Sequence, residues 1–339
     1  MSASGAPSAR ADEPDELGAA TEIAGTLVAN LERVVLGKAD VLRLVVAAFS
    51  ARGHVLLEDV PGTAKTMLAR ALAASVEDTE AVRIQCTPDL QPTDVTGLSV
   101  WDPPSRRFEF RPGPVFANVV LVDEINRALP KAQSALLEAM AERQVTVDGV
   151  TRPLPAPFFV IATENPIELD GTFPLPEAQL DRFLVRTSLG YPGLDEEIRI
   201  VEGQVHGHPL DSLRPVVSRD ELAQLLAAVE RVYVDPLLRG WIVEIVRATR
   251  ELEELEVGAS VRGSLALDRM VRAVALVDGR GFATPDDVER LFVPVLAHRF
   301  VPSAETLASS DTRSELLQRI QARCLERAPR PAPLWDARE

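Results

Sequence analysis

Five runs rich in apolar residues, each of strand length, divide the first half of the chain. They cover residues 55–57, 81–86, 119–122, 158–163 and 184–187. Consecutive apolar residues are typical of parallel strands that are buried on both faces, and we expect 81–86 to be such a strand. Segments with helical spacing of apolar residues, such as 67–73 and 125–143, separate the runs. The pattern therefore predicts an α/β domain with a parallel sheet.

From Gly190 onward the pattern becomes helical only, and no further strands are expected. Two helix starts carry capping signals, at Ser218 with Glu221 and at Thr284 followed by a proline. Helices are predicted over residues 195–203, 218–232, 236–252, 264–278 and 284–299. This succession predicts a small all-helical domain after the α/β domain.

Two β-hairpins are predicted within the α/β domain, near residues 97–113 and 144–154. The first has two alternating stretches around a proline-rich turn. The second contains Asp148-Gly149, a strong signal for a hairpin turn. The first hairpin is either a solvated β-arm or an arm that contacts a partner or lines a pore.

Length and charge limit the classes of protein to consider. A chain of 339 residues exceeds what one hydrophobic core usually serves, so two domains are expected. The net charge of -15 argues against a general nucleic-acid binder, although a local basic patch is compatible with it. Cys86 and Cys324 are too few for a disulfide framework. Because the sequence shows neither an export signal nor a membrane-spanning run, we expect a cytoplasmic protein without membrane insertion.

The strand at 55–57 leads into a loop with the chemistry of a phosphate site. The candidate binding residues are Pro61, Gly62, Thr63, Ala64, Lys65, Thr66 and Met67. Backbone N–H groups at the following helix start can hold phosphates, while Lys65 adds positive charge and Thr66 a hydroxyl ligand for Mg²⁺. Asp59 and Ala64 replace the two glycines of the pattern G-x-x-x-x-G-K-[ST]. Taken alone, the segment is also compatible with an ordinary α/β connection.

Polar residues at the ends of two other strands extend this candidate site. Asp123 and Glu124 directly follow the run at 119–122, and such adjacent carboxylates favour a shared cation. We expect Asp123 to bind Mg²⁺ with Thr66, and Glu124 to orient or deprotonate the attacking water. Asn165 could hold that water. The simpler interpretations are a strand that exits to water at its acids and a turn residue before a proline.

Two further residues keep two interpretations each. Gly37 lies between two predicted helices, where it either makes a turn or lets the backbone approach an adenine ring. Arg182 cannot obviously reach its own phosphate loop, but in a ring it could reach a neighbour's γ-phosphate; a surface salt bridge is the alternative. His206 and His208 form a possible metal pair without an obvious third ligand.

Taken in order, these motifs resemble those of the MoxR family of AAA+ ATPases over residues 31–300. The matching segments are LLEDVPGTAKT, VVLVDEINRA, ATENP, LPEAQLDRF and GASVRGSLAL. The specificity lies in the combination, and such loops tolerate the variants at Asp59 and Ala64. The chain departs from the family at Val261 and Gly263, where Pro and Ala are common, and at Glu164, where Gln is usual.

The resemblance implies a role for each residue of the candidate site. Lys65 and Thr66 would belong to the Walker A loop, which binds ATP and Mg²⁺. Asp123 and Glu124 would be the Walker B pair, namely the Mg²⁺ ligand and the catalytic glutamate. Asn165 would be sensor 1.

Two arginines would complete the catalytic set that the resemblance implies. Arg182 would be the arginine finger, which acts on the nucleotide of a neighbouring subunit. Arg262 would be sensor 2 in the helical lid. The hairpins at 97–113 and 144–154 would be the helix-2 insert and the pre-sensor-1 insert.

Composition predicts loose chain ends, and the resemblance implies the organisation between them and the function. The domains would be a disordered acidic tail at 1–18, an AAA+ αβα core at 19–190, a helical lid at 191–310, and a C-terminal helix with a loose tail at 311–339. The protein would form a homo-oligomeric ring, expected to be a hexamer. It would remodel or mature a client protein in a chaperone-like manner, with rotation of the lid moving the hairpins, often beside a partner with a von Willebrand factor A domain.

Two functions of other classes stay open at this point. A nucleic-acid motor would use Arg106, Arg107 and Arg111 on the first hairpin, although the overall acidity opposes it. A nucleotide-gated scaffold would assemble on ATP with little turnover.

Overall fold

The structure is a computed structural model that describes residues 13–166, 171–204, 209–309 and 312–331. Most of the expected acidic tail, the pair His206 and His208, and the end of the C-terminal tail lie outside these residues. Within these ranges, no helix has both the length and the apolar composition needed to cross a membrane.

Strands and helices alternate in the first part of the chain, as the hydrophobic pattern predicts. The helices are α1 (Glu13–Glu32), α2 (Ala39–Ser50), α3 (Lys65–Ala74), α4 (Pro92–Thr96), α5 (Pro130–Glu142) and α6 (Glu177–Leu180). The strands are β1 (Val55–Glu58), β2 (Ala81–Gln85), β3 (Gly97–Asp102), β4 (Arg107–Pro112), β5 (Val119–Asp123), β6 (Gln144–Val147), β7 (Val150–Pro153), β8 (Phe159–Glu164) and β9 (Val185–Thr187).

Five of these strands form one parallel sheet in the order β2-β5-β8-β1-β9, which confirms the predicted α/β class. Because all five run in the same direction, the polar residues that follow β1, β5 and β8 share one edge of the sheet. β2 is an edge strand, and Arg83 and Gln85 on it are exposed. The expectation of a buried strand at 81–86 is therefore wrong, because these two polar residues alternate along it and give it one wet face.

Alternate residues of the central strands face two apolar layers. Val55 and Leu57 of β1 join a large cluster with α1, α2 and α3, whereas Leu56 joins a second cluster with α5. All three side chains are fully buried. The sheet is thus held on both faces, which fixes the position of the loop that follows β1.

The rest of the described chain is helical apart from one short strand pair. Its helices are α7 (Leu194–Gln204), α8 (Arg219–Arg231), α9 (Pro236–Ala248), α10 (Val261–Val277), α11 (Pro285–Leu296), α12 (Ala304–Ala308) and α13 (Arg313–Arg327). Strands β10 (Leu255–Val257) and β11 (Val301–Pro302) pair antiparallel. The expectation that strands end at Gly190 is therefore wrong, since strands of two or three residues are too short to leave an alternating pattern.

The helical part packs directly on the α/β part. α1 contacts α8 and α10, and α2 contacts α10. Apolar residues of these helices belong to the same buried cluster as one face of the sheet. The two parts of the chain therefore share a core.

Several element boundaries differ from the predicted ones: α9 ends four residues early, at Ala248, α11 ends three residues early, at Leu296, and three helix starts differ. α1 begins at Glu13, so residues 13–18 of the expected tail are helical; a proline and acidic residues suit a first turn. α5 begins only at Pro130, because Glu124 has a φ of +56° and a short 3₁₀ turn follows it. α10 begins three residues early, at Val261, because the Ser260 hydroxyl accepts a hydrogen bond from a backbone N–H of the first turn.

Both hairpins form where the sequence predicts them. β3 pairs antiparallel with β4, and β6 pairs with β7 around Asp148 and Gly149, which both have positive φ. The guanidinium carbon of Arg152 on β7 lies 3.9 Å from the ring centroid of Phe110 on β4. This cation–π contact joins the two hairpins.

Candidate active site

The phosphate loop connects β1 to the start of α3. Gly62 has a φ of +87°, and a Cβ atom built on it would have no heavy atom within 4 Å, so the space beside it is open. Ala64, the N-cap residue of α3, has a φ of +62° and makes no capping hydrogen bond through its side chain. The first N–H groups of α3 therefore lack a side-chain cap, which is the arrangement that phosphate binding uses.

Asp59 replaces the first glycine of the loop pattern and has a structural role. Its buried carboxylate accepts hydrogen bonds from the Ser188 hydroxyl at 2.9 Å and from the N–H groups of Leu189 at 2.7 Å and Gly190 at 2.8 Å. Its own N–H donates to the Glu164 carbonyl at 3.1 Å. Because hydrogen bonds to a carboxylate are strong, Asp59 ties the start of the loop to the chain that follows β9.

Lys65 and Thr66 are the first two residues of α3. Lys65 Nζ donates to the carbonyl oxygens of Asp59 at 3.1 Å and Val60 at 3.0 Å. The buried Thr63 hydroxyl also donates to Val60, at 3.2 Å, and closes the loop. The lysine ammonium thus lies over the loop that would hold the phosphates.

Asp123 ends β5 with its carboxylate buried and engaged on both oxygens. Oδ1 accepts a hydrogen bond from the Thr163 hydroxyl at 2.7 Å. Oδ2 accepts from Arg83 Nε at 3.1 Å and Nη2 at 2.5 Å. Two neighbouring strands therefore hold the candidate metal ligand in place.

Glu124 turns the chain away from β5 in a left-handed conformation, with φ +56° and ψ 54°. Such a conformation costs about 1 kcal/mol for a residue with a side chain. The Glu124 N–H donates to the Thr163 hydroxyl at 2.8 Å, which offsets part of that cost. Its Oε2 accepts from Gln85 at 3.2 Å and Arg127 at 3.3 Å. One threonine hydroxyl thus links the two candidate acids.

Asn165 follows β8 directly and is buried. β8 lies between β5 and β1. With neighbouring strands about 4.8 Å apart, the ends of β1 and β5 are about 10 Å apart, and Asn165 comes between them. The structure brings five of the predicted residues to this edge: Lys65, Thr66, Asp123, Glu124 and Asn165.

A charged cluster borders the same edge. Arg186 contacts the carboxylate of Glu58 and lies 3.9 Å from that of Glu164, and Arg313 on α13 contacts Glu58 at 2.9 Å. Burial raises the pKa of Glu164, while the charge of Arg186 opposes this rise. Glu164 therefore has a cationic partner in Arg186, which a neutral glutamine at this position would not need.

The residues at this edge fit a nucleotide with Mg²⁺. The oxygens of Thr66 and Asp123 are the hard donors that Mg²⁺ prefers, and the open space at Gly62 suits a phosphate. No cluster of three or more His, Cys, Asp or Glu that could hold a metal occurs in the described ranges. Phosphate oxygens and water would therefore supply the other ligands of the ion.

Arg182 and Arg262 lie at the other end of β1. Together with Gly53 and His54, which precede that strand, they line a cleft of about 410 Å³. β1 has four residues and is about 13 Å long, so the cleft and the phosphate loop lie at opposite edges of the sheet. Within the chain, the structure does not bring these two arginines to the other candidate residues.

The contacts of the two arginines differ. Arg262 Nη1 lies 3.6 Å from Asp181 Oδ2. Arg182 Nη1 donates to the Ala178 carbonyl at 3.2 Å, and its Nε is buried without a hydrogen-bond partner. In the described part of the chain no acid pairs with Arg182, so the simple salt-bridge interpretation lacks a partner there.

Gly37 makes the turn between α1 and α2. It has a φ of +70°, and a Cβ atom there would lie 2.5 Å from Cγ of Glu196 on α7. The positive φ of the turn and the close contact with Glu196 each explain why a glycine stands at this position. Contact with an adenine ring stays a prediction.

The site contains three residues that sequence reasoning missed: Arg83, Gln85 and Thr163. Arg83 and Gln85 form hydrogen bonds to Asp123 and Glu124 from the edge strand β2. Their alternation was a usable signal, since it places both side chains on one face of a strand. Thr163 could have been noticed as the single hydroxyl at the end of an apolar strand.

Comparison with known proteins gives matches in both parts of the chain. Residues 54–185 match the ATPase family associated with various cellular activities (AAA). Residues 247–320 match the AAA lid domain. The first match contains the phosphate loop, Asp123, Glu124 and Asn165, and the second contains Arg262.

Individual relatives cover most of the chain. It is 49% identical over 277 residues to the uncharacterised protein YeaC of Bacillus subtilis (strain 168), covering 82% of this chain and 86% of YeaC. It is 40% identical over 299 residues to the protein named Chaperone MoxR1 of Mycobacterium tuberculosis, covering 86% and 78%. The crystal structure of a candidate ATPase from Cytophaga hutchinsonii superposes with a TM-score of 0.84 and 32% identity, over 91% of this chain and 96% of that one.

Proposed function

Since this chain belongs to the MoxR family of AAA+ ATPases, we propose that it binds ATP with Mg²⁺ and hydrolyses it. The observation that carries this proposal is the hydrogen-bonded unit of Asp123, Thr163 and Glu124 beside the phosphate loop. Lys65 would bind the phosphates, and Glu124 and Asn165 would hold and activate the attacking water. When bound, Mg²⁺ supplies positive charge that neutralises the phosphate oxygens.

We further propose that subunits assemble as a ring, a hexamer, with a nucleotide between neighbours. Arg182 and Arg262 share a cleft at the edge of the sheet opposite their own phosphate loop. They can therefore assist hydrolysis only at the loop of another subunit. Arg182 would be the finger at that interface, and Arg262 would act there as sensor 2.

The replacement Glu124→Gln tests the hydrolytic role. It removes the proposed base but keeps the size of the side chain, so ATP binding should stay within about twofold of wild type. Phosphate release should fall at least about 100-fold, the usual contribution of a general base. Binding of a fluorescent ATP analogue and release of phosphate measure the two effects. Undiminished turnover would remove Glu124 from the catalytic role.

The replacement Arg182→Ala tests the contribution of a neighbour. A homogeneous ring of this variant should bind nucleotide and lose turnover about 1,000-fold, as expected for an arginine finger. Mixing it with Glu124→Gln subunits should restore part of the turnover, because those subunits supply a working Arg182 to their neighbours. Failure of rescue at every mixing ratio would contradict the arrangement across subunits.

The proposed target of this activity is another protein. One relative is named a chaperone, and the first hairpin presents an apolar surface that a client could contact. Trp101 and Phe108 on it are 49% and 70% exposed, and their ring centroids are 5.3 Å apart. A von Willebrand factor A domain protein is the partner class that we propose to test first for stimulation of hydrolysis.

A nucleic-acid motor is the second candidate function, and the same hairpin favours it. Arg106 and Arg107 are exposed next to the aromatic pair, a combination that also suits single-stranded nucleic acid. Stimulation of hydrolysis by DNA that weakens with salt would support this candidate. Assembly on ATP without phosphate release, even with a partner present, would instead indicate a nucleotide-gated scaffold.

A further inference from the structure

The cleft at the amino edge of the sheet is strongly basic, although the whole chain carries a net charge of -15. Six arginines line it against two acids: Arg52, Arg143, Arg182, Arg262, Arg269 and Arg299 against Glu142 and Asp181. Only Arg182 and Arg262 have an expected role from the sequence. The other four arginines therefore need an explanation.

Within the described ranges, the acids of the cleft form ion pairs with only two of its six arginines. Asp181 is engaged by Arg299 at 2.9 Å and by Arg262 at 3.6 Å. Throughout the described ranges, no ion pair links an acid to Arg52, Arg143 or Arg269. The exposed Arg52 guanidinium makes no hydrogen bond to any described residue either, so its N–H donors face the cleft and solvent.

The backbone holds these like charges close together. Arg143 Nη2 donates to the Arg52 carbonyl at 2.7 Å, and Arg269 donates to the carbonyl of Ala51. Burial and then the charge of Arg52 lower the pKa of Arg143; burial and then the charges of Arg143 and Arg52 lower that of Arg269. The fold thus keeps three mutually repelling cations around one cavity, an arrangement that an anionic ligand would relieve.

Two observations restrict the anion. The phosphate loop of the same subunit lies at the opposite edge of the sheet, which excludes the subunit's own nucleotide. Arg182 lines the same cleft and has a buried Nε without a partner. An anion that meets Arg52 and Arg143 would therefore also lie near the arginine that is proposed to act on a neighbour.

We propose that Arg52 and Arg143 bind the phosphate chain of the nucleotide held by a neighbouring subunit, beside Arg182. Arg269 is a positioning residue, because it holds the backbone at Ala51 from which Arg52 projects. This inference rests on the proposed function, since it requires a nucleotide at the interface between subunits. It extends the basic side of that interface from a single finger to a cluster.

The first experiment compares substitutions in the full-length chain. Arg52→Gln should lower ATP turnover about 100-fold or more, as expected for the loss of one donor to a developing charge. Arg52→Lys, which keeps the charge, should retain an intermediate rate. Arg219→Gln is the matched control: it removes the same charge from a neighbouring surface, where Arg219 bonds the Ala156 carbonyl, and should stay within about twofold.

The second experiment mixes subunits and separates this inference from the proposed function. Arg52→Gln and Glu124→Gln subunits, each with low turnover alone, are combined in equal amounts. If rings form at random, half of the subunits keep Glu124 and half of those meet an intact Arg52, so about a quarter of wild-type turnover should return. The same mixture with Arg182→Ala in place of Arg52→Gln runs in parallel. Arg143→Gln repeats the measurement should Arg52→Gln fail to fold by circular dichroism.

The outcomes are distinct. Rescue in both mixtures supports the cluster. Rescue with Arg182→Ala but not with Arg52→Gln or Arg143→Gln overturns this inference and leaves the proposed function intact, whereas failure of both overturns the arrangement across subunits. A free anion in solution is the remaining possible ligand of the cleft. Calorimetry with inorganic tripolyphosphate tests this possibility on Lys65→Ala subunits, whose phosphate loop lacks its lysine. Binding that requires Arg52, combined with undiminished ATP turnover of Arg52→Gln, would show a site for free anions and contradict the inference.

Discussion

His54 is a buried histidine that the surrounding backbone holds in its neutral form. Its Nδ1 accepts a hydrogen bond from the Val160 N–H at 3.0 Å, so the proton lies on Nε2, which contacts the Met140 carbonyl at 3.2 Å. Burial, opposed by the hydrogen bond to the Met140 carbonyl and assisted by the charges of Arg143 and Arg269, lowers the pKa of His54 to about 4. A second proton on Nδ1 would break the bond from Val160.

This environment predicts a pH-dependent loss of stability. Between about pH 4 and pH 6.5, the histidine of the unfolded chain is protonated, because its pKa is about 6.5, whereas folded His54 stays neutral. The contribution of His54 is therefore present above pH 6.5 and falls as the pH drops through this window, by up to about 1.4 kcal/mol per pH unit. His54→Gln lacks this term. Urea unfolding should show the variant about 2 kcal/mol less stable at pH 7, with the difference shrinking towards pH 5.

The second buried histidine serves as an internal control in that measurement. His298 also has a lowered pKa, but it is present in both chains, so its effect cancels in the difference. A difference between wild type and His54→Gln that stays constant from pH 7 to pH 5 would contradict the assignment.

At the scale of single residues, the sequence was sufficient to identify those site residues that belong to a general chemical pattern. Lys65, Thr66, Asp123 and Glu124 stand at fixed places after apolar strands, and the sheet brings them to one edge. The partners of these residues could not be predicted in the same way. The Asp59 carboxylate accepts hydrogen bonds from residues that lie 129 to 131 positions later in the chain. Such long-range contacts leave no local sequence pattern.

The two hairpins lie against each other and share a cation–π contact. Arg152 covers the ring of Phe110 and also donates hydrogen bonds to the carbonyls of Val147 at 3.2 Å and Val150 at 3.0 Å. The ring of Phe110 packs edge-on against Phe116, with centroids 5.7 Å apart. Motion of one hairpin should therefore be transmitted to the other.

The replacement Arg152→Ala should uncouple the hairpins with little effect on global stability. Loss of the cation–π contact removes about 1 kcal/mol, so amide hydrogen exchange should become about fivefold faster in both hairpins. Mass spectrometry of deuterated peptides from residues 97–112 and 144–153 measures this. Arg107→Ala, which removes an arginine of the first hairpin outside the stack, is the control. Acceleration confined to the second hairpin would contradict the coupling.

Elements were predictable where periodicity and turn chemistry agree. The Asp148-Gly149 turn and the capping box at Ser218 mark real boundaries, because both act within four residues. The start of α5 was missed, since the left-handed Glu124 depends on Thr163 from another strand. The edge position of β2 likewise depends on strand order, which periodicity does not specify.

On the scale of the whole molecule, the core that the α/β part and the helical part share restricts which motions can occur. The helices α8 and α10 pack on α1 and α2, and their apolar residues continue the cluster under the sheet. Rotation of the helical part against its own sheet would expose this surface, at roughly 25 cal/mol per Å². In the ring that we propose, the core therefore favours motion at the interfaces between subunits over the lid rotation that the sequence resemblance implies.

The shared core also predicts that both parts of the chain unfold together. Leu27 on α1 is fully buried in the common cluster. Leu27→Ala removes apolar contacts and leaves a cavity, which costs about 2–4 kcal/mol. Because α1 contacts both parts, the most protected amides of β8 and of α10 should lose the same free energy of opening in hydrogen exchange. Leu237→Ala, at an exposed leucine of α9, should change neither. Suppose that Leu27→Ala lowered the opening free energy of the β8 amides and left that of the α10 amides at the wild-type value. The helical part would then be an independent folding unit, and its rotation against the sheet would again be possible.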